Sequence, residues 1–180
     1  MCRLCETKPV YEFTNKRKLC KTCFIHWFEK KFLYTIRKFK MIDKGDIILV
    51  EDKKDFRGVV LKKLMEIFSE RAPVKVVGSG KFTSKAIALT SDTEAEKIIQ
   101  TLFNGKEKDL KNFLPTENKI IKPMYLFLDK EVLLYAKLKN LKFKKIKEKK
   151  DKLIYFLEDL EKKHPELKHS IINSELEIYS

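Results

Sequence analysis

Between Thr22 and Met41, the residues Ile25, Phe28, Phe32, Ile36 and Phe39 recur at helical spacing. That period predicts one helix over 22–41 with a single apolar stripe, and Lys30, Arg37 and Lys38 lie away from it. A stripe this rich in aromatics reads as core, so the helix ties the N-terminal segment to the rest of the chain. Asp43-Lys44-Gly45-Asp46 is a turn. Ile47 to Val50 is an unbroken apolar run and reads as a short buried strand. A charged loop, EDKKDFRG, comes next. Leu61, Leu64, Met65 and Phe68 then mark the inward face of a helix over Val59–Glu70.

The second half alternates in the same way. VKVVGSG (74–80) and KAIALT (85–90) read as strands around a Gly-rich turn, and a tight hairpin is expected there. Asp92 is the expected N-cap of a helix over 93–104, and Gly105 its stop. A short helix around 108–114 ends at Pro115. IIKPMYLF (120–127) reads as extended, with Pro123 confining it to an edge or irregular strand. A helix from Asp129 through Asn140, a strand at KFKKI (142–146), a helix over about 151–163 ending at His164-Pro165, and a last amphipathic helix at 167–178 complete the order. Strands and helices in this alternation predict an α/β domain with a mainly parallel sheet. We expect two parts: 1–41, a metal-binding module with its connecting helix, and 42–180, the α/β domain.

Length and composition agree with a folded chain. The 180 residues include 13 Phe and 6 Tyr, enough to fill a core. No apolar run approaches the ~18 residues of a membrane span. The N-terminus lacks the charged-then-apolar pattern of a signal peptide, so a cytoplasmic protein is expected.

Charge adds a partner to the picture. The formal net charge is +14, from 40 Lys and Arg against 26 Asp and Glu. Residues 1–44 carry 12 basic and 4 acidic residues, net +8. Residues 136–152 carry nine Lys against Glu148 and Asp151, net +7, and 153–180 is net −3. Two basic blocks around a nearly neutral middle point to a polyanion, most simply a nucleic acid. A Lys-rich surface kept for solubility or heat tolerance is the competing reading.

All four cysteines lie in MCRLCETKPVYEFTNKRKLCKTCF, as two CxxC pairs, Cys2/Cys5 and Cys20/Cys23, with 14 residues between. Two such knuckles complete a tetrahedral shell of four thiolates around zinc. Such a shell leaves no open position, so the expected Zn2+ is structural. A disulfide fits poorly with a cytosolic chain, and a redox motif would need one CxxC in a βα setting. An iron–sulfur cluster also takes four cysteines, and counting does not separate it from zinc. His26 lies three residues after Cys23 as a spare ligand, but reads more simply as a helix residue.

Several stretches together resemble the adenylating PP-loop proteins that thiolate tRNA. They are the two knuckles running into CFIHWFEKKFLYTIRKFKM, then KGDIILV, TSDTEAEKIIQTLFNG, IKPMYLFLDKEVLLYAKLKN and LIYFLEDLEKKHPELKHSI. They occur in the family's order and cover most of the chain. The chain is most similar to the archaeal and eukaryotic branch that makes 2-thiouridine at the wobble position. The resemblance implies a PP-loop (adenine nucleotide alpha hydrolase-like) domain in reduced form behind the zinc-knuckle module.

Departures from the family pattern are equally informative. The family's phosphate loop reads Ser-Gly-Gly-Lys-Asp-Ser after the first strand, and its backbone N–H groups wrap pyrophosphate. Here Glu51-Asp52-Lys53-Lys54-Asp55-Phe56-Arg57-Gly58 follows instead. The Gly-Gly pair is gone, and Glu51, Asp52 and Asp55 set negative charge against a phosphate. The family's long segment before its Gly-His-Asn-Leu-Asp-Asp motif is reduced here, and only Thr90-Ser91-Asp92-Thr93-Glu94-Ala95 remains of the motif. Catalytic members use further cysteines in the central domain, and none follows Cys23. Gly78-Ser79-Gly80-Lys81 lacks the spacing of a substitute phosphate loop and reads as a turn.

These losses imply a pseudoenzyme: a non-catalytic tRNA-binding subunit of wobble-uridine 2-thiolation, with no catalytic and no cofactor-binding residues. The family's eukaryotic system pairs an active PP-loop subunit with a degenerate one. A catalytic PP-loop paralogue in a heteromer, or a homodimer, is therefore the implied partner beside tRNA. Lys16, Arg17, Lys18, Lys21, Arg37, Lys38, Lys142, Lys144, Lys145, Lys147, Lys149 and Lys150 are the expected phosphate contacts. Cys2, Cys5, Cys20 and Cys23 are the expected metal ligands. Two other readings stand beside this one. One is a zinc-containing nucleic-acid- or protein-binding module outside tRNA modification. The other is an enzyme with a rebuilt nucleotide site. Against the latter, His26, His164 and His169 are the only histidines, His169 reads as a surface residue, and no nucleophile–base pair is visible.

Overall fold

The computed structural model describes residues 1–145 and 152–179. Tyr11–Glu12 (β1) and Lys18–Leu19 (β2) form a small antiparallel ribbon at the N-terminus. Helix α1 (Lys21–Lys38) starts directly after Cys20, and Arg37 and Lys38 lie at the negative end of its dipole. Its buried positions are Phe24, Phe28, Phe32, Thr35 and Ile36. The stripe therefore begins on Phe24, with Ile25 and Phe39 only partly buried. A four-residue repeat from Phe24 to Ile36 aligns these side chains on one ridge, which favours close packing against a second helix. Thr35 is tolerated inside because its hydroxyl donates back to the Lys31 carbonyl at 2.8 Å.

The ridge is received by α4 (Asp129–Leu138). Phe28 stacks on Tyr135 with ring centroids 4.3 Å apart and meets Phe127 at 4.5 Å. The Lys31 ammonium donates to Glu131 Oε2 at 2.8 Å, and the Tyr11 hydroxyl donates to Glu131 Oε1 at 3.3 Å. One carboxylate thus fastens both α1 and β1 to α4.

A five-stranded sheet lies behind the ridge, in the order β4–β3–β5–β7–β6. Here β3 is Ile47–Val50, β4 is Lys75–Val77 and β5 is Ser84–Ala86. The last two strands are β6 (Thr116–Glu117) and β7 (Ile120–Ile121). All neighbours run parallel except β6 against β7. The mainly parallel α/β architecture read from the sequence is the observed one. Helix α2 (Phe56–Ser69) carries the chain from β3 to β4. It starts three residues earlier than expected because the Asp55 carboxylate caps it, accepting from Gly58 N–H at 2.8 Å.

Three local expectations are corrected. The glycine-rich segment after β4 is no hairpin, because β4 and β5 flank β3 on opposite sides and both run parallel to it. Residues 78–83 instead cross from one side of β3 to the other without a helix, turning at Gly80 with φ +99°. Thr83 anchors the arrival: its N–H donates to Ile47 O at 2.8 Å, and its hydroxyl accepts from Ile47 N–H at 3.0 Å. Second, β7 is an interior strand that ends before Pro123. It is reached by a two-residue turn in which Asn118 and Lys119 both have positive φ, 47° and 64°. Third, 142–145 form no strand. Phe143 lies edge-on to Phe56 at 6.2 Å, and Lys144 N–H donates to Lys54 O at 2.7 Å. Ile146, the expected helix start at 151, and Lys147, Lys149 and Lys150 lie outside the described residues.

The remaining helices close the other side of the sheet. They are α3 (Ser91–Phe103), a 3-10 helix (Glu107–Phe113), α5 (Lys152–Lys163) and α6 (Leu167–Tyr179). Ala95, Ile98, Leu110, Tyr125 and Ile172 form their shared core. Charged groups are buried at its margin. Glu94 is fully buried and accepts from Lys122 and, at 3.0 Å, from Lys97. Glu175 accepts from the Tyr125 hydroxyl at 2.7 Å through one oxygen, while Oε1 is buried with no partner among the described residues.

Burial pushes the Glu175 carboxyl up to about 7, against the opposing pull of Tyr125 and Lys122. A carboxyl whose folded pKa is raised contributes stability below its unfolded pKa, and that stability is lost as pH rises through about 7. Glu175→Gln, which copies the neutral acid, is expected to stabilise the fold by on the order of 2 kcal/mol near pH 8.5 and to change little near pH 4. Denaturant unfolding at the two pH values checks this. An equal effect at both would show that Glu175 does not titrate in this range.

Candidate functional site

The four cysteines converge at the junction of the N-terminal ribbon and α1. The first knuckle is closed by Cys2 N–H donating to Thr7 O at 2.9 Å and Glu6 N–H donating to Cys2 O at 3.0 Å. Glu6 takes φ +57° to make that turn. Arg3 N–H donates to Lys18 O at 3.0 Å, which lays this knuckle against β2. The second knuckle runs directly from β2 into the first turn of α1. All four Sγ atoms lie within 4.8 Å of one another. Cys5 Sγ is 3.3 Å from Cys20 Sγ and 3.6 Å from Cys23 Sγ.

This geometry fits a single tetrahedral ion, whose ~2.3 Å metal–sulfur bonds place neighbouring sulfurs about 3.8 Å apart. The Thr7 hydroxyl and the Cys23 backbone N–H lower Cys20 to about 6. Hydrogen bonds with Cys20 and Cys5 push Cys23 up to about 12. His26 is exposed and stands outside the sulfur group.

The sequence-predicted basic residues divide by what they touch. Lys16 and Lys21 are exposed. Arg17 is partly buried, its guanidinium 4.2 Å over the Phe13 ring. Lys18 pairs with Glu12 at 3.1 Å. Arg37 and Lys38 are exposed at the end of α1, with Lys38 5.3 Å over the Phe39 ring. Lys142, Lys144 and Lys145 are exposed beside the start of α2.

A second constellation lies where parallel α/β sheets ordinarily bind ligands, beyond the carboxyl ends of the strands. Helices α2, α3 and α4 each begin there, after β3, β5 and β7, and side chains lace their first turns together. Arg57 makes a bidentate contact with Asp129, its Nε donating to Oδ1 at 2.7 Å. The Thr90 hydroxyl donates to the same Oδ1 at 2.7 Å. Asp129 N–H donates to Asp92 Oδ2 at 2.6 Å, and Lys168 donates to Asp92 Oδ1 at 2.6 Å. Lys168 also pairs with Glu161 at 3.1 Å and Glu96 at 3.6 Å. Burial works to lower Lys168, but Asp92 and Glu161 outweigh it and hold the ammonium above its ordinary value. Asp92 is therefore no N-cap; Thr90 takes that place, and Asp92 links three helices.

The α2 end of this region is closed by backbone as well. A Cβ at Gly58 would stand 2.1 Å from the Lys53 carbonyl oxygen, so the loop lies directly against the first turn of α2. Beside the network is a cavity of about 330 Å3, whose wall sets Asp92, Glu96, Asp129, Glu158 and Glu161 against Lys130 and Lys168, an acidic excess. His169, expected at the surface, is partly buried nearby; burial and Lys31 hold it below its ordinary value. Thr90, Asp92, Asp129, Arg57 and Lys168 were not singled out by motif reading as one group. Arg57 and Asp129 are 72 residues apart, and no local pattern links them.

No family model and no curated protein sequence matches the chain. Among solved structures it is similar to the U34-tRNA thiolase NcsA from Methanococcus maripaludis, described with its [4Fe-4S] cluster. The TM-score is 0.81 at 17% identity, over 98% of this chain and 86% of that one. Among the described residues no helix is long and apolar enough to cross a membrane. The chain thus shares the mixed α/β fold of that thiolase and carries a four-cysteine cluster at its N-terminus.

Proposed function

We propose that this chain is a non-catalytic relative of the tRNA thiolases, binding tRNA and assembling with a catalytic PP-loop paralogue. The observation that carries this reading is the self-paired charge network at the carboxyl ends of the strands. Helix N-termini attract anions because their first N–H groups are unpaired and their dipoles are positive. In a nucleotide-binding PP-loop protein that anion is phosphate. Here the chain's own carboxylates do the same work: Asp55 caps α2, and Asp92 takes the N–H of Asp129 at the start of α4. Arg57, the cation best placed to clamp a phosphate, is held by Asp129. The acidic wall of the neighbouring cavity repels a triphosphate further.

The four cysteines act in this reading as a structural zinc site. The crowding of the sulfurs within 4.8 Å supports one ion in preference to a four-iron cube, which spreads its thiolates around a larger core. Zinc would supply cross-linking of the two knuckles and no reactive position. Its role is to hold the start of α1 and the exposed Lys16 and Lys21 in fixed places. The +14 charge supports a polyanionic partner.

Calorimetry with a non-hydrolysable ATP analogue is expected to give no binding heat, and micromolar binding would overturn the non-catalytic reading. tRNA affinity is expected to fall steeply between about 50 and 200 mM salt, as phosphate contacts require. A flat salt response would count against tRNA binding. A pull-down from native extract is expected to recover a PP-loop paralogue together with tRNA. Metal analysis of anaerobically purified protein is expected to find one zinc per chain without the broad visible absorption of an iron–sulfur cluster. Cys20→Ser is expected to lose the metal and to weaken tRNA binding; a metal-free variant that still bound tRNA normally would remove the scaffold role.

A further inference from the structure

The loop that stands where the family's phosphate loop would be buries Asp55, half-buries Glu51 and keeps its lysines outside. Asp55 is buried as the α2 cap and lies 3.8 Å from Arg57. Glu51 is partly buried and paired with Lys53 at 3.2 Å. Asp52, Lys53 and Lys54 are exposed. The loop cannot swing freely, because its Lys53 carbonyl rests against Gly58.

A second lysine segment is fixed to this loop. Lys144 N–H donates to the Lys54 carbonyl at 2.7 Å, and Phe143 packs edge-on against Phe56. Residues 142–144 alternate exposed, partly buried, exposed, so Phe143 anchors the segment while Lys142 and Lys144 face outward. Lys145 is exposed beside them. Lys53, Lys54, Lys142, Lys144 and Lys145 thus stand on two pinned segments, against Glu51 and Asp52, for a local net charge of +3.

We propose that this double segment, 51–54 with 142–145, is a docking surface for the phosphodiester backbone of RNA. The inference rests on the tRNA-binding reading above and places that contact on the remodelled loop. The chemistry favours backbone phosphates. Lysines are point charges that suit a row of phosphates, and no aromatic side chain of the two segments faces solvent to stack a base. The loop that no longer wraps a nucleotide's phosphates inside the cleft meets a polymer's phosphates on its outer side.

The test is tRNA binding measured across salt concentrations for the full chain. Lys54→Ser, Lys142→Ser and Lys144→Ser combined is expected to weaken binding at least about tenfold at moderate salt and to lower the log–log salt slope by about 2. A control combining Lys106→Ser, Lys108→Ser and Lys119→Ser, of equal net charge, is expected to lose much less. Phe143→Ala keeps every lysine but frees the second segment, and is expected to weaken binding as well. If wild type binds tRNA and the first triple variant binds equally, the docking surface is refuted while the tRNA-binding reading stands. If both triple variants lose equally, net charge alone acts and the surface is refuted. If wild type binds no tRNA at any salt, the underlying reading fails and the surface falls with it.

Discussion

The Asp129 carboxylate accepts from both arms of Arg57 and from the Thr90 hydroxyl, while its own N–H is held by Asp92. Those contacts join the first turns of α2, α3 and α4, the three helices that leave the carboxyl edge of the sheet. The residues involved are mostly buried, so each charge needs its partner. Removing one member of a buried pair commonly costs about 3–5 kcal/mol, because the other is left without compensation. The same contacts also answer an electrostatic requirement. Three positive helix ends brought together need an anion among them. Asp55, Asp92 and Asp129 supply that charge from within the chain.

Helix α4 carries a second fastening two residues further on. Glu131 accepts from Lys31 of α1 and Tyr11 of β1, and also from the Leu128 N–H behind it. A single helical turn therefore holds α2 and α3 through Asp129 and the N-terminal module through Glu131. The aromatic ridge of α1 reinforces the second link, with Phe28 set between Phe127 and Tyr135. Burial of Tyr11 beside Glu131 keeps its phenol well above the ordinary value, so the hydroxyl remains a donor throughout the working pH range. The cysteine cluster needs this support. Glu131 together with the ridge sets where the two knuckles sit against α4.

What the sequence made legible was local and periodic. The α1 stripe, the buried run of β3 and the two CxxC pairs could be read because each repeats or clusters within a few residues. The gaps have physical causes. The hairpin expected at 78–83 failed because Gly78-Ser79-Gly80 permits a turn without saying which strand receives the chain; pairing on both sides of β3 decided that. The turn at Asn118-Lys119 was missed because Lys at positive φ carries no local preference, and the pairing of β6 with β7 imposes it. Asp92 looked like a cap because Asp at a helix start usually is one. Its partners are Lys168, 76 residues away, and the N–H of Asp129, so only the tertiary fold shows its role. The convergence of the four cysteines was legible from their spacing, whereas the charge network, being assembled from four helices, was not.

The acidic segment after β3 has linked consequences in this fold. A glycine-rich loop leaves its N–H groups open, and a bound phosphate then completes them. Here the Asp55 carboxylate takes the Gly58 N–H, and the Lys53 carbonyl lies against Gly58 in the first turn of α2. Asp55 lies on the loop's buried inner side, and Asp52, Lys53 and Lys54 form its solvent-facing surface. Phe143 and the Lys144 N–H rest on the same segment, against Phe56 and the Lys54 carbonyl. One short loop therefore turns a capping carboxylate inward and its lysines outward, because the Asp55 contact with Gly58 N–H fixes which side of the chain faces α2.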